Sequence, residues 1–192
     1  RDRLGRQEVE GVAHVDAVIA GVGSGGTITG LSRYFAKVAP QVECVLADPK
    51  GSILADYVET GQIPNEVGSW FVEGIGEDFI PDTCDLSKVH KAYTITDKES
   101  FEAARDLLQK EGILGGSSSG TLFAAALKYC REQTTKKRVV AFVCDRGDKY
   151  LSKMFNDYWM YDNGFLKKPP VGDLTDLISR PHADHATITC KP

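Results

Sequence analysis

The chain has 192 residues, 42% of them hydrophobic and 26% charged, enough apolar material for one full core. A net charge of −4 gives no reason to expect nucleic acid or a membrane surface as partner, and no apolar run nears the roughly 18 residues of a membrane span. The five cysteines are odd in number and form no Cys-x-x-Cys pair, which argues against a disulfide framework or zinc site and for reduced thiols in a cytoplasmic protein.

Residues 1–13 are polar, carry no signal-peptide pattern, and read as an incoming helix end or linker. Asp16–Val22 is short and continuously apolar, as a buried parallel strand should be. The run Gly21-Val22-Gly23-Ser24-Gly25-Gly26-Thr27 follows it, then a helical pattern over 27–38 that Pro40 stops. Strand, glycine-rich turn and helix together aim several backbone N–H groups at one phosphate. A second strand, Val42–Asp48, completes a βαβ unit. Ile53, Leu54, Tyr57 and Val58 predict a short helix ending near Gly61, and residues 59–86 read as loop.

Ala92–Ile95 is a third strand. Thr96-Asp97-Lys98-Glu99 has the capping-box pattern of a helix start, and Gly112 is the stop of that helix. Gly115-Gly116-Ser117-Ser118-Ser119-Gly120 reads as a second small-residue loop, opening a helix with Leu122, Phe123, Ala126, Leu127 and Cys130 on one side. Val139–Val143 is a fourth strand, and 149–160 reads as helix. Cys44 and Cys144, inside apolar runs, are expected to be buried thiols. Strands alternating with helices predict an α/β fold: a mostly parallel open sheet with helices on both faces and ligands at the strand C-terminal ends. Residues 162–192 are rich in Pro, Gly and Asp and read as a tail or linker. His182-Ala183-Asp184-His185 near Cys190 lies in that tail and is read as linker rather than metal site.

Gly21-x-Gly23-x-x-Gly26, with Asp48 at the end of the next strand, also matches the dinucleotide fingerprint, so a nicotinamide-dependent dehydrogenase is one reading. The extra glycine with Thr27, the Asp48-Pro49 step and the unexplained second loop favour a compact terminal phosphate instead.

Gly23-Ser24-Gly25-Gly26-Thr27-Ile28-Thr29-Gly30 resembles the phosphate loop of the pyridoxal-phosphate β-replacement enzymes, the cysteine synthase and cystathionine β-synthase family. Glu111–Gly120 resembles their second signature, and Glu73-Gly74-Ile75-Gly76 their loop beside the substrate carboxylate. Leu46–Ser52, Glu73–Pro81 and Asp145–Met160 resemble the cystathionine β-synthase branch, with Glu77 standing where many of its members have Tyr. The resemblance covers about residues 15–165. It implies the large cofactor domain of a fold type II pyridoxal-phosphate enzyme. Pyridoxal 5′-phosphate would be held by Gly23, Ser24, Gly25, Gly26 and Thr27, with Ser117 on its ring nitrogen and Glu73 and Gly74 in the catalytic loop. The implied reaction is serine plus homocysteine giving cystathionine and water. Cysteine synthesis from O-acetylserine and sulfide stays open beside it.

The family's cofactor-bearing lysine precedes the phosphate loop in relatives, yet no lysine occurs here before Lys37. The expectation is therefore a C-terminal part of a catalytic core over residues 1–161, missing its N-terminal portion and inactive alone. Residues 162–192 would then be a tail leading to any regulatory module. The implied partners are the amino-acid substrates, the missing portion of the same core and a second copy in a homodimer or larger assembly. A third reading is a degenerate domain that serves only in binding or assembly.

Overall fold

Ala17–Ala20 offers the chain no polar side chain to place in water, so it forms a strand buried on both faces, β1. A helix, α1 (Gly26–Val38), carries the chain back to β2 (Glu43–Pro49), which lies parallel to β1 with Ala20 opposite Leu46. After α2 (Leu54–Thr60), β3 (Lys91–Ile95) adds in parallel outside β2, Leu46 opposite Ala92. The helices α3 (Asp97–Glu111) and α4 (Ser117–Arg131) follow, and β4 (Val139–Ala141) pairs in parallel with β1, Ile19 opposite Ala141. The sheet order is β3-β2-β1-β4. The chain therefore steps outward from β1 through β2 and β3, then returns to the other side of β1. That reversal makes the C-terminal ends of β1 and β4 the topological switch point, where open parallel sheets bind ligands.

The computed structural model describes residues 14–167, in two compact units that divide between Tyr150 and Leu151. In the first unit, one face of the sheet (Ala20, Cys44, Leu46, Ala92) buries Ile28 of α1 and Leu54 and Ala55 of α2. Fully burying Ile28, Leu46 and Leu54 contributes about 1.5–3 kcal/mol each. On the other face α4 touches all four strands, and α3 packs on α4. That helix pair is close because Gly120 has no side chain: a Cβ there would lie 2.0 Å from the Ser100 carbonyl oxygen. The Thr96 capping box is formed, and Gly112 ends α3 at φ 70°. In the second unit, the Asn156 side chain caps α5 (Asp157–Asp162), and Trp159 stacks on Phe165 with ring centroids 5.7 Å apart.

Helices thus cover both faces of an all-parallel sheet, as expected. Three local expectations are corrected. Only Leu122 of the expected α4 face is buried; Phe123, Ala126 and Leu127 are partly covered and Cys130 is exposed. Sandwiched between sheet and α3, the helix instead buries its small residues Ser117–Thr121, Ala124 and Ala125 together with Tyr129. Residues 149–160 are not one helix: a 3-10 turn (Gly147–Tyr150) is followed by irregular turns until Asn156 caps α5. The strand β4 stops at Ala141, which leaves Cys144 exposed rather than buried, whereas Cys44 is buried. Among the described residues no helix is long and apolar enough to cross a membrane, and no cluster of metal ligands occurs. His182, Asp184, His185 and Cys190 lie outside the described residues.

Candidate active site

The first glycine run turns the chain from β1 into α1. Gly25 is the N-cap at φ 84°, with no side-chain cap, and the first turn of α1 carries no acid. The first N–H groups of a helix have no intrahelical partner, so this end is positively polarised and suited to an anion. Its glycines are set by close approach: a Cβ on Gly25 would lie 2.4 Å from the Cys84 Cβ, and one on Gly23 2.7 Å from the Gly74 carbonyl oxygen. The turn is pinned from outside, since the Thr83 hydroxyl donates to the Ser24 carbonyl and the Thr29 hydroxyl to the Thr83 carbonyl.

Residues 73–77 form a strap across the ends of the strands. Gly76 N–H donates to the Val22 carbonyl at 2.8 Å, so the strap touches the Gly21–Thr27 turn. The Ser52 hydroxyl both accepts from Glu77 N–H (3.0 Å) and donates to its carbonyl (3.1 Å). The Trp70 indole N–H holds the Ile75 carbonyl at 3.1 Å. Asp97 Oδ1 accepts the N–H groups of Phe71 and Val72. Glu77 is used here through its backbone, and burial followed by the nearby Asp78 pushes its carboxyl pKa up.

The second glycine run is buried throughout. Its loop is shorter than expected: Gly116 is the N-cap of α4, and Ser117–Gly120 are already helical. Gly116 N–H donates to the Asp145 carbonyl and Gly147 N–H to the Leu114 carbonyl, both at 3.0 Å. Ser119 Oγ accepts Cys144 N–H, and Ser117 Oγ accepts Glu73 N–H, again at 3.0 Å each. A Cβ on Gly116 would fall 1.8 Å from Asp145 Oδ1. The Asp145 carboxylate receives the Tyr150 hydroxyl on Oδ2 at 3.0 Å, while its Oδ1 is buried without a hydrogen-bond partner. Burial, opposed by the neighbouring Ser117 hydroxyl and reinforced by Asp145, pushes the Tyr150 phenol up to about 12.

These three segments enclose a cleft of about 560 Å³ at the switch point of the sheet, within the range of small-molecule sites. Gly23, Ser24, Thr27, Glu73 and Gly74 line it, together with Ser118, Cys144, Asp145 and Tyr150. Of the other expected residues, Gly25 is buried against Cys84, Gly26 is exposed at the start of α1, and Ser117 lies just behind the wall, bonded to Glu73. Ser118 lies in the second glycine run and Tyr150 in the Asp145–Met160 stretch, but neither they nor Cys144 stood out as site residues, since the neighbours that bring them to the cleft come from distant segments. Asp48 is the clearest negative. It is fully buried, accepts Ala55 N–H at 2.9 Å as a cap on α2, and does not line the cleft. The ribose-binding role suggested by its spacing is withdrawn.

The sequence profile of a family described as pyridoxal-phosphate dependent enzyme matches residues 4–145. The chain belongs to that family. It is 42% identical over 153 residues to a cystathionine beta-synthase of Apis mellifera and 41% identical over 150 residues to that of Saccharomyces cerevisiae, covering 80% and 77% of this chain. A cysteine synthase of Helicobacter pylori is 37% identical over 140 residues, 73% of this chain and 43% of its own length. The matched part spans about 30% of the length of the cystathionine beta-synthases.

The residues present fit the family's cofactor, pyridoxal 5′-phosphate. An uncapped, acid-free helix N-terminus suits its phosphate. The cleft leads from that helix end to the Ser117 neighbourhood, and the buried unpartnered Asp145 Oδ1 marks a polar wall rather than a finished apolar core.

Proposed function

We propose that this chain forms part of the catalytic core of a cystathionine β-synthase type enzyme, which exchanges the β-hydroxyl of serine for the sulfur of homocysteine to give cystathionine and water. The observation that carries the reading is the convergence of both glycine runs and the Glu73–Gly76 strap on one cleft. The roughly 40% identity to cystathionine beta-synthases supports the branch. When bound, the cofactor supplies an electron sink for negative charge at the amino-acid Cα.

The residues divide that work. The N–H groups and hydroxyls of Gly23–Thr27 hold the phosphate. Ser117 presents a neutral hydroxyl to the ring nitrogen, which leaves that nitrogen unprotonated and suits elimination and addition at Cβ. Glu73 and Gly74 border the substrate carboxylate. Residues 1–36 hold no lysine, so these 192 residues offer no covalent anchor upstream of the phosphate loop, and we expect the chain alone to be inactive. Residues 1–161 belong to the core and 162–192 to a tail in this reading, and the assembled enzyme is a cytoplasmic homodimer or larger.

The test is an assay of the intact protein with pyridoxal phosphate, serine and homocysteine, scored for cystathionine. Cysteine formed from O-acetylserine and sulfide, with no cystathionine, would select the cysteine synthase reading that the Helicobacter pylori relative and Glu77 keep open.

A further inference from the structure

We propose that Thr83 is a positioning residue, which holds the Ser24 carbonyl away from the cleft and so turns the Gly25 N–H toward a phosphate. The proposal rests on the reading of Gly23–Thr27 as the phosphate turn, and it adds a residue from outside that run.

A trans peptide unit is planar, with its C=O and N–H pointing in opposite directions. Whatever fixes the Ser24 carbonyl therefore fixes the Gly25 N–H. The carbonyl is held by the Thr83 hydroxyl, which donates its single proton to it. Neither Thr83 nor Cys84 lines the cleft, whereas Ser24 does. The carbonyl thus faces outward to the 83–85 segment, and the Gly25 N–H faces the other way. Among the described residues nothing accepts that N–H.

Without Thr83 the same carbonyl has a competing use. It stands four residues before Ile28, where it would accept the Ile28 N–H in a further helical turn. That bond is not made: the first bond of α1 runs from Thr29 N–H to the Gly25 carbonyl at 3.1 Å. An inward carbonyl would use up one N–H of the helix end and set its negative end against an anion. The Thr83 hydroxyl supplies the alternative partner.

Thr83 is itself fixed by α1. The Thr29 hydroxyl, on a residue 7% exposed, donates to the Thr83 carbonyl at 3.2 Å and accepts Asp85 N–H at 2.9 Å. One turn further along the same helix face, Arg33 binds Asp85 Oδ2 through Nε at 3.1 Å and Nη2 at 2.8 Å. Between Thr83 and Asp85, Cys84 packs against the bare backbone of Gly25, 2.4 Å from where a Cβ would stand. The hydroxyl and the carbonyl it binds are therefore held in one frame, and the branched Cβ of threonine narrows the rotamers open to the donor.

The experiment titrates pyridoxal 5′-phosphate into the intact protein and reads three things: affinity, the phosphorus NMR resonance of the bound cofactor, and its ring absorption. Wild type, Thr83→Val and Thr83→Ser are compared, with thermal melts to confirm folding. Valine keeps the shape of the side chain and removes its hydroxyl. Thr83→Val is expected to weaken binding about fivefold and to move the phosphorus resonance, with the ring absorption unchanged. Thr83→Ser keeps the donor and is expected to match the wild type in all three. A wild-type affinity and phosphorus resonance in Thr83→Val, or a serine variant that behaves like the valine one, would overturn the proposal while leaving the cofactor reading intact. So would a loss of affinity that moves the ring absorption and not the phosphorus resonance. Failure of the wild type itself to bind the cofactor would overturn both, and it shows before any variant is made.

Discussion

Two glycine-led turns open helices at this site, and they finish in opposite states. Ser24, Gly26 and Thr27, which open α1, face solvent, whereas every residue from Gly115 to Ser119, which open α4, is buried. The α1 turn keeps its helix N-terminus free of side-chain caps. The α4 turn spends its serines on backbone N–H groups of other segments, Ser117 on Glu73 and Ser119 on Cys144. Small residues serve access in the first turn and close packing in the second. In the proposed function, one turn is left for the cofactor to complete, and the other is the rigid floor it would meet.

The contrast breaks most visibly at Gly120. Its missing Cβ is what admits the Ser100 carbonyl, a backbone atom that cannot swing aside. Gly120→Ala is expected to force α3 and α4 apart and to destabilise the protein by about 3 kcal/mol, read from denaturant unfolding. A loss below about 1 kcal/mol would mean that the floor is pliable and that the comparison between the turns overstates its rigidity.

A second effect of about 2 kcal/mol belongs to the end of β2, which is closed where the end of β1 is open. Asp48 does for α2 what a phosphate would do for α1: its carboxylate accepts the free Ala55 N–H. Full burial outweighs that bond and pushes its pKa up to about 6. A raised carboxyl binds its proton more tightly in the folded state. Stability is therefore highest below the unfolded value near 4 and falls as pH rises to about 6. Relative to Asp48→Asn, the wild type should lose about 2 kcal/mol between pH 4 and pH 7. A flat difference across that range would show that Asp48 stays charged and paired.

The serines of the floor come next. Ser119→Ala leaves Cys144 N–H unpaired and should cost about 1 kcal/mol while leaving the spectrum of bound cofactor unchanged. Ser117→Ala should cost a similar amount through Glu73 N–H but should also move that spectrum. Identical behaviour of the two variants would remove Ser117 from the cofactor site.

Much of this was legible in the chain because it is local. The Thr96 capping box, the Gly61 and Gly112 stops and the glycine-rich turn each rest on residues within a few positions of one another, and the βαβ unit is three such local patterns in succession. The floor was harder to read. Ser117 meets a partner 44 positions away and Ser119 one 25 away, so three adjacent serines look interchangeable until the fold is present. The α4 face was misread for a related reason. Hydrophobicity marked Phe123 and Leu127, yet a helix pressed between a sheet and a second helix selects for small size, and Gly120 and Ala125 are buried instead. Asp48 sat at the spacing of a ribose ligand, but its side chain turned toward α2.

The smallest expected change is the most discriminating for the open turn. A Cβ on Gly26 would meet nothing within 4 Å, and Gly26 is the first residue of α1 with no left-handed φ to protect. Nothing in the fold therefore asks for glycine there. Gly26→Ala should restrict the unfolded chain and raise stability by about 0.5 kcal/mol. A phosphate drawn in to the N–H groups of this turn would lie close against that position, so the added methyl should weaken pyridoxal phosphate binding about tenfold. A more stable protein that binds its cofactor less well would mark Gly26 as a residue of the ligand site rather than of the fold. Unchanged binding would confine the cradle to Gly23, Ser24 and Thr27, the positions of this turn that line the cleft.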